Sequence, residues 1–531
     1  MLIKVFGAAV QGIDATLITI EVNSSRGCMF YLVGLPDSAV KESHQRIISA
    51  LQVNGYRMPT SNIVINMAPA DIRKEGAAYD LPLAIGILAA SEVIQSDKLE
   101  RYLLMGELSL DGSLQPIKGA LPIAIKAREL GFEGMIVPQQ NAHEAAVVNN
   151  LKVYGAGNIK EVIEFFNGTQ ELTPTLVNTR EEFYSQQSNF DFDFAEVKGQ
   201  ENVKRALEVA ASGSHNILLI GSPGSGKSML AKRLPSILPP LSLGESLETT
   251  KIHSVAGKLG KDGGLISKRP FRAPHHTIST VAMTGGGSFP QPGEISLAHN
   301  GILYLDELPE YSRNVLEVLR QPLEDRKITV SRIRCNVEYP ASFMLVASMN
   351  PCPCGYYTHP TKACVCSPGQ VQKYLNRISG PLLDRIDLQI EVTPLPFEEM
   401  ADSRPGESSA TIRERVIRAR QIQEARYADI PGIYCNAQMN SKLLARHARP
   451  DDKGLAMLKT AMNRLNLSAR AYDRILKVSR TIADLEGCEL IQPAHLAEAI
   501  GYRNLDREDW AGSVSYTHLR AHERSYISYA V

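Results

Sequence analysis

The sequence lacks several features that would assign it to a familiar class of protein. Its 57 lysine and arginine residues are balanced by 57 aspartate and glutamate residues, so the formal net charge is zero. A neutral chain does not bind nucleic acid through overall basicity, although it can carry a local basic surface. No run approaches the roughly 18 apolar residues that a membrane-spanning helix needs. Residues 1–12 also lack the basic and apolar regions of a secretory signal.

Cysteine and aromatic residues are scarce. The chain has eight cysteines in 531 residues, too few for a disulfide scaffold, and a single tryptophan, Trp510. With no export signal in view, we expect a cytoplasmic protein. Charged residues make up 21% and hydrophobic residues 44% of the chain, which indicates a folded globular protein and excludes wholesale disorder.

The pattern of apolar residues changes along the chain. In the first part, strand-like runs such as 15–21 and 63–68 alternate with helical runs such as 79–90, which predicts a mixed α/β fold. A second α/β block follows a polar linker, and a last block has apolar residues at helical spacing without strand signals. The final residues lose this pattern, and we expect a tail that is not native. The predicted division is 1–168, linker 169–195, 196–398, linker 399–409, 410–510 and tail 511–531.

A complete phosphate-binding motif lies in the second block. An apolar run, 216–220, predicts a buried strand that leads into the motif, and a helical pattern follows it. Its glycines let backbone N–H groups turn toward a β-phosphate. The lysine is expected to reach the β- and γ-phosphates and the last hydroxyl to hold Mg²⁺; the alternative is an accidental Gly/Ser turn. The motif residues are Gly221, Ser222, Pro223, Gly224, Ser225, Gly226, Lys227 and Ser228.

Two further strand ends carry polar residues that suit ATP hydrolysis. The apolar run 301–305 ends in Asp306 and Glu307, which are expected to bind Mg²⁺ through water and to polarise the attacking water. The run 343–347 is followed by Asn350, which is predicted to contact the γ-phosphate or the water, since ligands bind at the carboxyl ends of strands in such sheets. Either strand end alone is a weak signal, but with the phosphate motif they predict an ATPase.

Several segments resemble a known family. The order of these three motifs is that of AAA+ ATPases, and the segments 269–276 (RPFRAPHH), 380–387 (GPLLDRID) and 468–474 (SARAYDR) resemble the magnesium-chelatase-like branch. The segments 33–37 (VGLPD) and 106–112 (GELSLDG) resemble its ComM/YifB subfamily. The resemblance covers about residues 1–510. It implies an AAA+ core with a helical lid domain, acting as a ring that we expect to be a hexamer.

The resemblance also implies two arginine roles. Arg385 stands at the position of the arginine finger, which reaches the ATP of a neighbouring subunit and stabilises transferring phosphoryl charge. The structural alternative is an ion pair with Asp384 or Asp387. Arg470 matches the sensor-2 arginine of the lid, with Arg474 one turn later as its competitor.

The first block resembles the ribosomal-S5-like fold of the Lon protease domain, whose enzymes use a Ser/Lys dyad. The nucleophile would fall near Ala78 and the catalytic lysine near Leu121, with Lys118 three residues away. Because a Ser/Lys mechanism needs both groups, we predict no peptidase activity. An assembly platform or a nucleic-acid guide is expected instead.

Two basic segments are candidate DNA contacts. The first, between Lys251 and Thr280, has six basic residues against one acid, and it resembles the helix-2 insert of this branch; the second, 327–338, alternates like a hairpin and resembles the pre-sensor-1 hairpin. Basic loops that face a pore can grip a phosphate backbone; the alternative is an ordinary solvated surface. The candidate contacts are Lys258, Lys261, Lys268, Arg269, Arg272, Arg332 and Arg334.

Four of the eight cysteines are crowded into fifteen residues. Cys352 and Cys354 form one C-x-C pair, and Cys364 and Cys366 form another. Four thiolates at this spacing can bind Zn²⁺ tetrahedrally and order a loop without its own core, with His359 as a possible substitute ligand. Four reduced thiols in a Gly/Pro loop are the alternative.

The resemblance implies a specific function. It suggests an ATP-driven ring motor that acts on single-stranded or branched DNA, with branch migration or helicase activity in natural transformation and recombination. ATP and Mg²⁺ are the expected cofactors, recombination proteins are expected partners, and no membrane partner is expected. A chelatase-type ATPase subunit that drives metal insertion through a separate partner remains open. An ATP-dependent protease is disfavoured by the missing dyad.

Overall fold

A computed structural model describes residues 2–503 of the chain, apart from 96, 188, 261–262, 288–289, 333–334, 358, 396–404 and 466. Two α/β blocks are followed by helices, so the predicted fold class is confirmed. Within the described residues no helix is both long and apolar enough to cross a membrane. The predicted tail, Trp510 and most of the second linker lie outside the described residues.

Among the described residues, the first block is built from nine strands and five α-helices. Its longest strands carry alternating Val and Ile. Every residue of α2 is buried, because all but the first are apolar and the first, Asp80, accepts hydrogen bonds from the Arg46 guanidinium. The elements are β1 (Leu2–Gln11), β2 (Asp14–Ser25), β3 (Phe30–Val33), α1 (Ser38–Val53), β4 (Asn62–Ala68), α2 (Asp80–Ala90), β5 (Tyr102–Leu104), β6 (Glu107–Leu108), β7 (Leu114–Gln115), α3 (Ala120–Glu129), β8 (Gly134–Pro138), α4 (Gln139–Ala146), β9 (Lys152–Ala156) and α5 (Ile159–Phe166).

Seven of these strands form one mixed sheet in the order β3-β4-β2-β1-β5-β8-β9. β2 pairs antiparallel with both β1 and β4, whereas the other neighbours are parallel. The segment predicted as a polar linker contains a further helix, α6 (Thr179–Gln186). Asn178 caps its first turn and Phe183 is buried, a single apolar anchor that the polar composition concealed.

The second block contains the predicted phosphate-binding segment. Its strands near that segment are short, apolar and buried along their whole length, as is typical of a parallel sheet. The elements are α7 (Glu201–Gly213), β10 (Ile217–Ile220), α8 (Lys227–Arg233), α9 (Leu243–Ala256), β11 (Phe271–Arg272), α10 (Thr280–Thr284), β12 (Gly285–Gly286), β13 (Gln291–Pro292), α11 (Glu294–Leu297), β14 (Ile302–Leu305), α12 (Arg313–Glu317), α13 (Arg320–Asp325), β15 (Lys327–Arg332), β16 (Cys335–Pro340), β17 (Met344–Met349), α14 (Pro368–Leu375), α15 (Gly380–Leu383) and β18 (Leu388–Glu391).

The five-stranded sheet of this block has the order β11-β14-β17-β10-β18, and all its neighbours are parallel. Side chains alternate between its two faces. Ile217 and Leu219 face the core shared with the C-terminal helices, whereas Leu218 and Ile220 face the core under α10 to α13. Because the strands are parallel, the residues that follow β10, β14 and β17 meet at one edge.

The last block is helical, as predicted, and it packs on α7 and the neighbouring sheet face. Arg420 is buried against the end of α7, where its guanidinium donates to the carbonyls of Ala211 (3.0 Å) and Ser212 (3.2 Å). A cation at the last carbonyls of a helix satisfies groups that have no partner within the helix. The helices are α16 (Ser409–Tyr427), α17 (Ser441–His447), α18 (Asp452–Arg464), α19 (Ala469–Leu485) and α20 (Pro493–Gly501).

The first block contacts two separate elements of the second. The turn between β1 and β2 lies against the β15–β16 hairpin, and a Cβ added to Gly12 would lie 3.2 Å from Cγ1 of Val337. Beside this turn, Nζ of Lys251 on α9 donates to Asp14 at 3.1 Å. Deeper in the contact, the buried carboxylate of Glu144 accepts from the Ser254 hydroxyl of α9 at 2.5 Å.

Candidate active site

The predicted phosphate motif forms the turn between β10 and α8. Gly224 and Gly226 have φ values of +79° and +92°, a region that L-residues rarely adopt, so both positions favour glycine. The hydroxyls of Ser222 and Ser225 are buried, and neither has a hydrogen-bond partner among the described residues. Such groups cost free energy unless a ligand satisfies them, so the turn fits a phosphate group.

Lys227 lies inside this turn rather than in solvent. Its Nζ donates to the carbonyls of Gly221 at 2.7 Å and Ser222 at 2.9 Å, and to Oδ1 of Asn350 at 3.3 Å. Burial lowers the pKa of Lys227, while the carboxylates of Asp306 and Glu307 act in the opposite direction. The geometry therefore brings the two predicted residues Lys227 and Asn350 into contact across the ends of β10 and β17.

Asp306 is the centre of a hydrogen-bond network at the end of β14. Its carboxylate accepts from the hydroxyls of Ser228 (2.9 Å) and Ser348. The Tyr304 hydroxyl lies 3.2 Å from Oγ of Ser228 and 3.1 Å from Oγ of Ser348. Burial disfavours the charged carboxylate, but the hydroxyl hydrogen bonds outweigh it and lower the pKa of Asp306. A charged carboxylate beside a serine hydroxyl suits Mg²⁺, which prefers oxygen ligands.

Sequence reasoning missed Tyr304 and Ser348. Tyr304 stands inside an apolar strand, where a tyrosine is usually a core residue, and Ser348 lies two residues before Asn350. The sequence feature that could have identified them is their position near the carboxyl ends of β14 and β17, where ligands bind in parallel sheets. Their contact with Asp306 follows from the pairing of these two strands.

Glu307 follows Asp306 with a strained backbone and an exposed side chain. Its φ of +53° lies in the left-handed region, which costs a non-glycine residue roughly 1 kcal/mol or more. Its Oε2 lies 3.6 Å from Nδ1 of His276, whose ring lies tilted against that of His275 with 4.1 Å between centroids. His276 belongs to the 269–276 segment, in which the sequence predicted a role for Arg269 and Arg272 but none for the histidines.

Arg385, the predicted finger, is held inside its own chain. Its Nη2 donates to Oε1 of Glu324 on α13 at 2.5 Å, and its Nη1 donates to the carbonyl of Pro381 at 2.5 Å. Neither Asp384 nor Asp387, the partners expected on structural grounds, pairs with it among the described residues. The side chain is buried, and its Nε has no partner in the part of the chain described here.

Arg470 and Arg474 both lie on α19 and anchor it to the segment after α15. Nη1 of Arg470 lies 3.2 Å from Oδ2 of Asp384, and Nη1 of Arg474 lies 3.2 Å from Oδ1 of Asp387. Arg470 is 63% exposed, whereas Arg474 is 20% exposed and its partner is buried. The predicted sensor-2 residue is therefore the more accessible of the two.

Two of the predicted DNA contacts, Arg269 and Arg272, form ion pairs within the fold. Arg269 donates to both carboxylate oxygens of Glu245 at 3.2 Å and to the carbonyl of Asn300 at 2.8 Å. Arg272 makes a two-point ion pair with Glu294 at 2.6 and 2.8 Å. Both guanidinium groups are thus neutralised by carboxylates and do not form a free basic surface.

The remaining predicted DNA contacts do not share one environment. Lys258 is exposed just after α9, whereas the Lys268 ammonium lies 5.7 Å from the centroid of the Phe190 ring. Lys261, Arg334 and the side chain of Arg332 lie outside the described residues. The hairpin itself is present, formed by the antiparallel pair β15–β16. Lys258 is therefore the clearest exposed cation of the insert among the residues that are described.

The four clustered cysteines meet in the loop between β17 and α14. Sγ of Cys352 lies 3.3 Å from that of Cys354 and 3.7 Å from that of Cys364. Burial raises the pKa of Cys352 to about 12. Burial also disfavours the thiolate of Cys354, but N–H groups of the backbone outweigh it and lower that pKa to about 6. The predicted cluster is therefore assembled in space, with thiols in unlike environments.

The positions that a Lon-type dyad would occupy are structural. Ala78 lies in the short turn before α2, and Leu121 is fully buried in the first turn of α3. Lys118 points along the end of α9, where a Cβ added to Gly257 would lie 3.0 Å from its Cε. No hydroxyl or amine therefore occupies either dyad position.

The comparisons with known proteins agree with this geometry. The family of the magnesium chelatase subunit ChlI matches residues 193–400, a ChlI family matches residues 20–141, and the ChlI C-terminal family matches residues 406–503. Competence protein ComM of Haemophilus influenzae is 45% identical over 506 residues, which cover 95% of this chain and 97% of the relative. The chain belongs to the ComM/YifB group of magnesium-chelatase-like AAA+ ATPases.

More distant relatives place this ComM/YifB-group chain within the wider family. The uncharacterized protein YifB of Escherichia coli is 43% identical over 94% of this chain and 96% of its own length. The magnesium-chelatase 38 kDa subunit of Cereibacter sphaeroides is 25% identical over 61% of this chain and 96% of its own length. Family membership supports an ATPase with ATP and Mg²⁺ as cofactors.

Proposed function

We propose that the chain hydrolyses ATP at the turn formed by residues 221–228. The observation that carries this proposal is the contact of Lys227 with Asn350 and of Ser228 with Asp306 at the ends of three adjacent strands. These residue types are what phosphoryl transfer needs, because catalysis there depends mainly on positioning and on charge stabilisation. Sequence, strand order and family membership support the same site.

Each residue of the site has a role in this proposal. The backbone N–H groups of the turn and Lys227 bind the phosphates of ATP, Asn350 orients the γ-phosphate or the attacking water, and Glu307 accepts a proton from that water. Ser228 and Asp306 would hold Mg²⁺, which neutralises charge on the β- and γ-phosphates when it is bound. Lys227 would exchange its present carbonyl partners for phosphate oxygens.

We further propose that the site is completed by a neighbouring subunit in a ring, for which we expect six chains. Arg385 would leave Glu324 and donate to the γ-phosphate of the adjacent subunit, and Arg470, which is exposed on α19, would approach the nucleotide of its own chain. The proposed domains are 1–168, 196–398 and 410–510. This division is supported by the three family matches, since each falls almost wholly within a different one of these blocks.

The substrate on which ATP energy acts is proposed to be single-stranded or branched DNA. This part of the proposal is supported by the similarity to a competence protein, by the exposed Lys258 and by the β15–β16 hairpin. Branch migration or helicase activity in natural transformation and recombination is the proposed role. Since Arg269 and Arg272 are paired with carboxylates, few side chains of the insert would carry the DNA contact.

A chelatase-type ATPase subunit is the second candidate, favoured by the match to the 38 kDa chelatase subunit. The two candidates differ in what stimulates hydrolysis. ATPase rates are therefore measured alone and with forked or single-stranded DNA, over a series of salt concentrations. A several-fold stimulation that weakens with salt supports the motor. No stimulation and no salt-sensitive DNA binding would exclude it and leave the chelatase-type candidate.

A further inference from the structure

The cysteine loop, residues 351–367, has a sulfur cluster that ATP hydrolysis does not use. Two C-x-C pairs supply four thiols, and all four Sγ atoms lie within 4.8 Å of one another. Three of these separations are 3.3 Å for Cys352 and Cys354, 3.5 Å for Cys354 and Cys364, and 3.7 Å for Cys352 and Cys364. All four cysteines are free thiols.

These sulfur separations distinguish the chemical states that four cysteines can adopt. A disulfide would place two sulfurs about 2.05 Å apart, which none of the three distances approaches. Four sulfurs at about 2.3 Å from one tetrahedral Zn²⁺ lie about 3.8 Å from each other. The observed distances are close to this spacing for three pairs at once, which independent disulfides would not give.

The loop has little else to hold its shape. Its described residues form neither helix nor strand, Cys352 is fully buried, and Val365 is 85% exposed. Ordering each residue of such a segment costs roughly 1–2 kcal/mol in conformational entropy. A metal–thiolate site can supply this free energy, since binding and local folding are coupled.

The alternative ligand His359 already has other partners. Its Nδ1 accepts from the backbone N–H groups of Thr361 at 3.2 Å and Lys362 at 3.1 Å. His359 is also absent from the group of side chains whose ligand atoms converge. The four cysteines therefore form the complete tetrahedral ligand set without it.

The loop is in direct contact with the phosphate turn. Cys352 comes two residues after Asn350, and Gly355 packs on Pro223 so closely that an added Cβ would lie 2.4 Å from Cδ of the proline. Gly355 has φ +84°, so any side chain there would be strained as well as crowded. The loop thus supports both Asn350 and the turn that binds phosphate.

We propose that Cys352, Cys354, Cys364 and Cys366 bind one zinc ion, and that the zinc loop braces the phosphate turn through Gly355 and Pro223. The zinc is structural, because all four positions of its tetrahedron are filled by protein sulfurs and none is open for a substrate. The bracing role rests on the proposed nucleotide site, whereas zinc binding does not.

Zinc content is measured first, on the full chain purified in reducing buffer without added metal. About one zinc per chain is expected, and Cys354→Ser combined with Cys366→Ser should abolish it, whereas Cys28→Ser, an exposed cysteine elsewhere, should not. If the double variant does not fold, the wild-type thiols are titrated with a mercurial instead. One zinc per chain should then be released as four thiols are modified. Less than about 0.2 zinc per chain, or iron in its place, would overturn the proposal.

Bracing is tested by the affinity for a fluorescent ADP analogue before and after the mercurial releases zinc. A fall of about tenfold, equivalent to 1.4 kcal/mol, is expected, and unchanged affinity would overturn the bracing role. Lys227→Ala separates this result from a failure of the proposed nucleotide site, because it should weaken nucleotide binding while one zinc per chain remains. If wild-type protein binds zinc but no nucleotide, the proposed function has failed and the zinc site stands.

Discussion

Arg385 donates to Glu324 within a single chain, with 2.5 Å between Nη2 of the arginine and Oε1 of the glutamate. Arg385 is 8% exposed and Glu324 is 52% exposed, so the pair lies at the edge of the chain rather than at its centre. In the proposed ring, Arg385 would exchange this carboxylate for phosphate oxygens of the neighbouring ATP. Until then, the pair with Glu324 would hold the guanidinium in place.

Arg385→Ala is expected to leave nucleotide binding unchanged and to lower kcat by about 10³–10⁵-fold, because an arginine finger stabilises charge only during transfer. Arg418→Ala, which changes an exposed arginine of α16, is the matched control and should retain full activity. Both are measured by steady-state ATPase assays and by equilibrium binding of a fluorescent nucleotide. Normal hydrolysis by Arg385→Ala would show that this residue is not the finger.

Co-expression of two inactive variants tests whether Arg385 acts between subunits. A chain with Arg385→Ala keeps its phosphate turn, and a chain with Lys227→Ala keeps its arginine. In a mixed ring each Arg385→Ala chain that lies beside a Lys227→Ala chain has one complete site, so ATPase activity should recover in part. Mixed rings that are as inactive as either parent would contradict a finger supplied by the neighbour.

Lys227→Ala is expected to abolish ATP-dependent activity. In the proposed site the lysine would supply positive charge to the phosphates, and loss of such a group lowers kcat by about 100-fold or more. Lys232→Ala, an exposed lysine on the same helix α8, provides the control for a change of net charge. ATPase rates above a few per cent of wild type in Lys227→Ala would place the phosphate site elsewhere.

Lys258→Ala and Arg272→Ala are expected to have different effects. Lys258→Ala should weaken single-stranded DNA binding and reduce the slope of log K against log salt by about 0.7 per lysine. Arg272→Ala should instead lower the free energy of unfolding by about 1 kcal/mol, because it leaves the partly buried Glu294 without its ion pair. Salt-dependent fluorescence anisotropy and urea unfolding measure the two effects, and Lys160→Ala in the first block is the control for both.

A pH-dependent contribution to stability is expected from Asp387. Burial disfavours its charged form, but Arg474 and His215 outweigh burial and hold the pKa of this carboxyl below its usual range. A depressed folded-state pKa contributes stability above the unfolded pKa of about 3.9 and loses it as the pH falls further. Asp387→Asn should therefore lower the free energy of unfolding at pH 7 by about 3 kcal/mol.

The free energy of unfolding of Asp387→Asn should come closer to that of wild type as the pH falls below 4. Urea unfolding at pH 7, 5 and 3.5 would measure this change. Asp429→Asn, an exposed carboxyl that follows α16, is the control and should show no such trend. If the difference in free energy of unfolding between Asp387→Asn and wild type is constant with pH, the carboxylate charge contributes nothing to stability.

The local parts of the candidate site could be predicted from the sequence. Strand, turn and helix follow one another within 217–233, so residues that are close in the chain encode the position of Lys227 and Ser228. The same holds for Asp306 and Asn350, each at the end of an apolar run. These strands and the fold class are confirmed, because apolar runs of this length are typical of a buried parallel sheet.

Contacts between distant residues could not be predicted. Glu324, the partner of Arg385, is 61 positions away, and no spacing in the sequence singles it out from other surface carboxylates. Arg269 and Arg272 are counted as free charges in a sequence, but their carboxylate partners neutralise them in the fold. Charge patterns therefore indicate a basic surface only after such partners are known.

The short turn between β1 and β2 has a mechanical consequence. Gly12 touches the β15–β16 hairpin, and Asp14 is paired with Lys251 of α9, so three consecutive residues join the first block to two segments that are separated by more than seventy positions in the chain. If either segment shifts during a cycle of the enzyme, the turn must move with it or lose its contacts. In a ring motor of the proposed kind, the turn would therefore couple a movement of either segment to the first block.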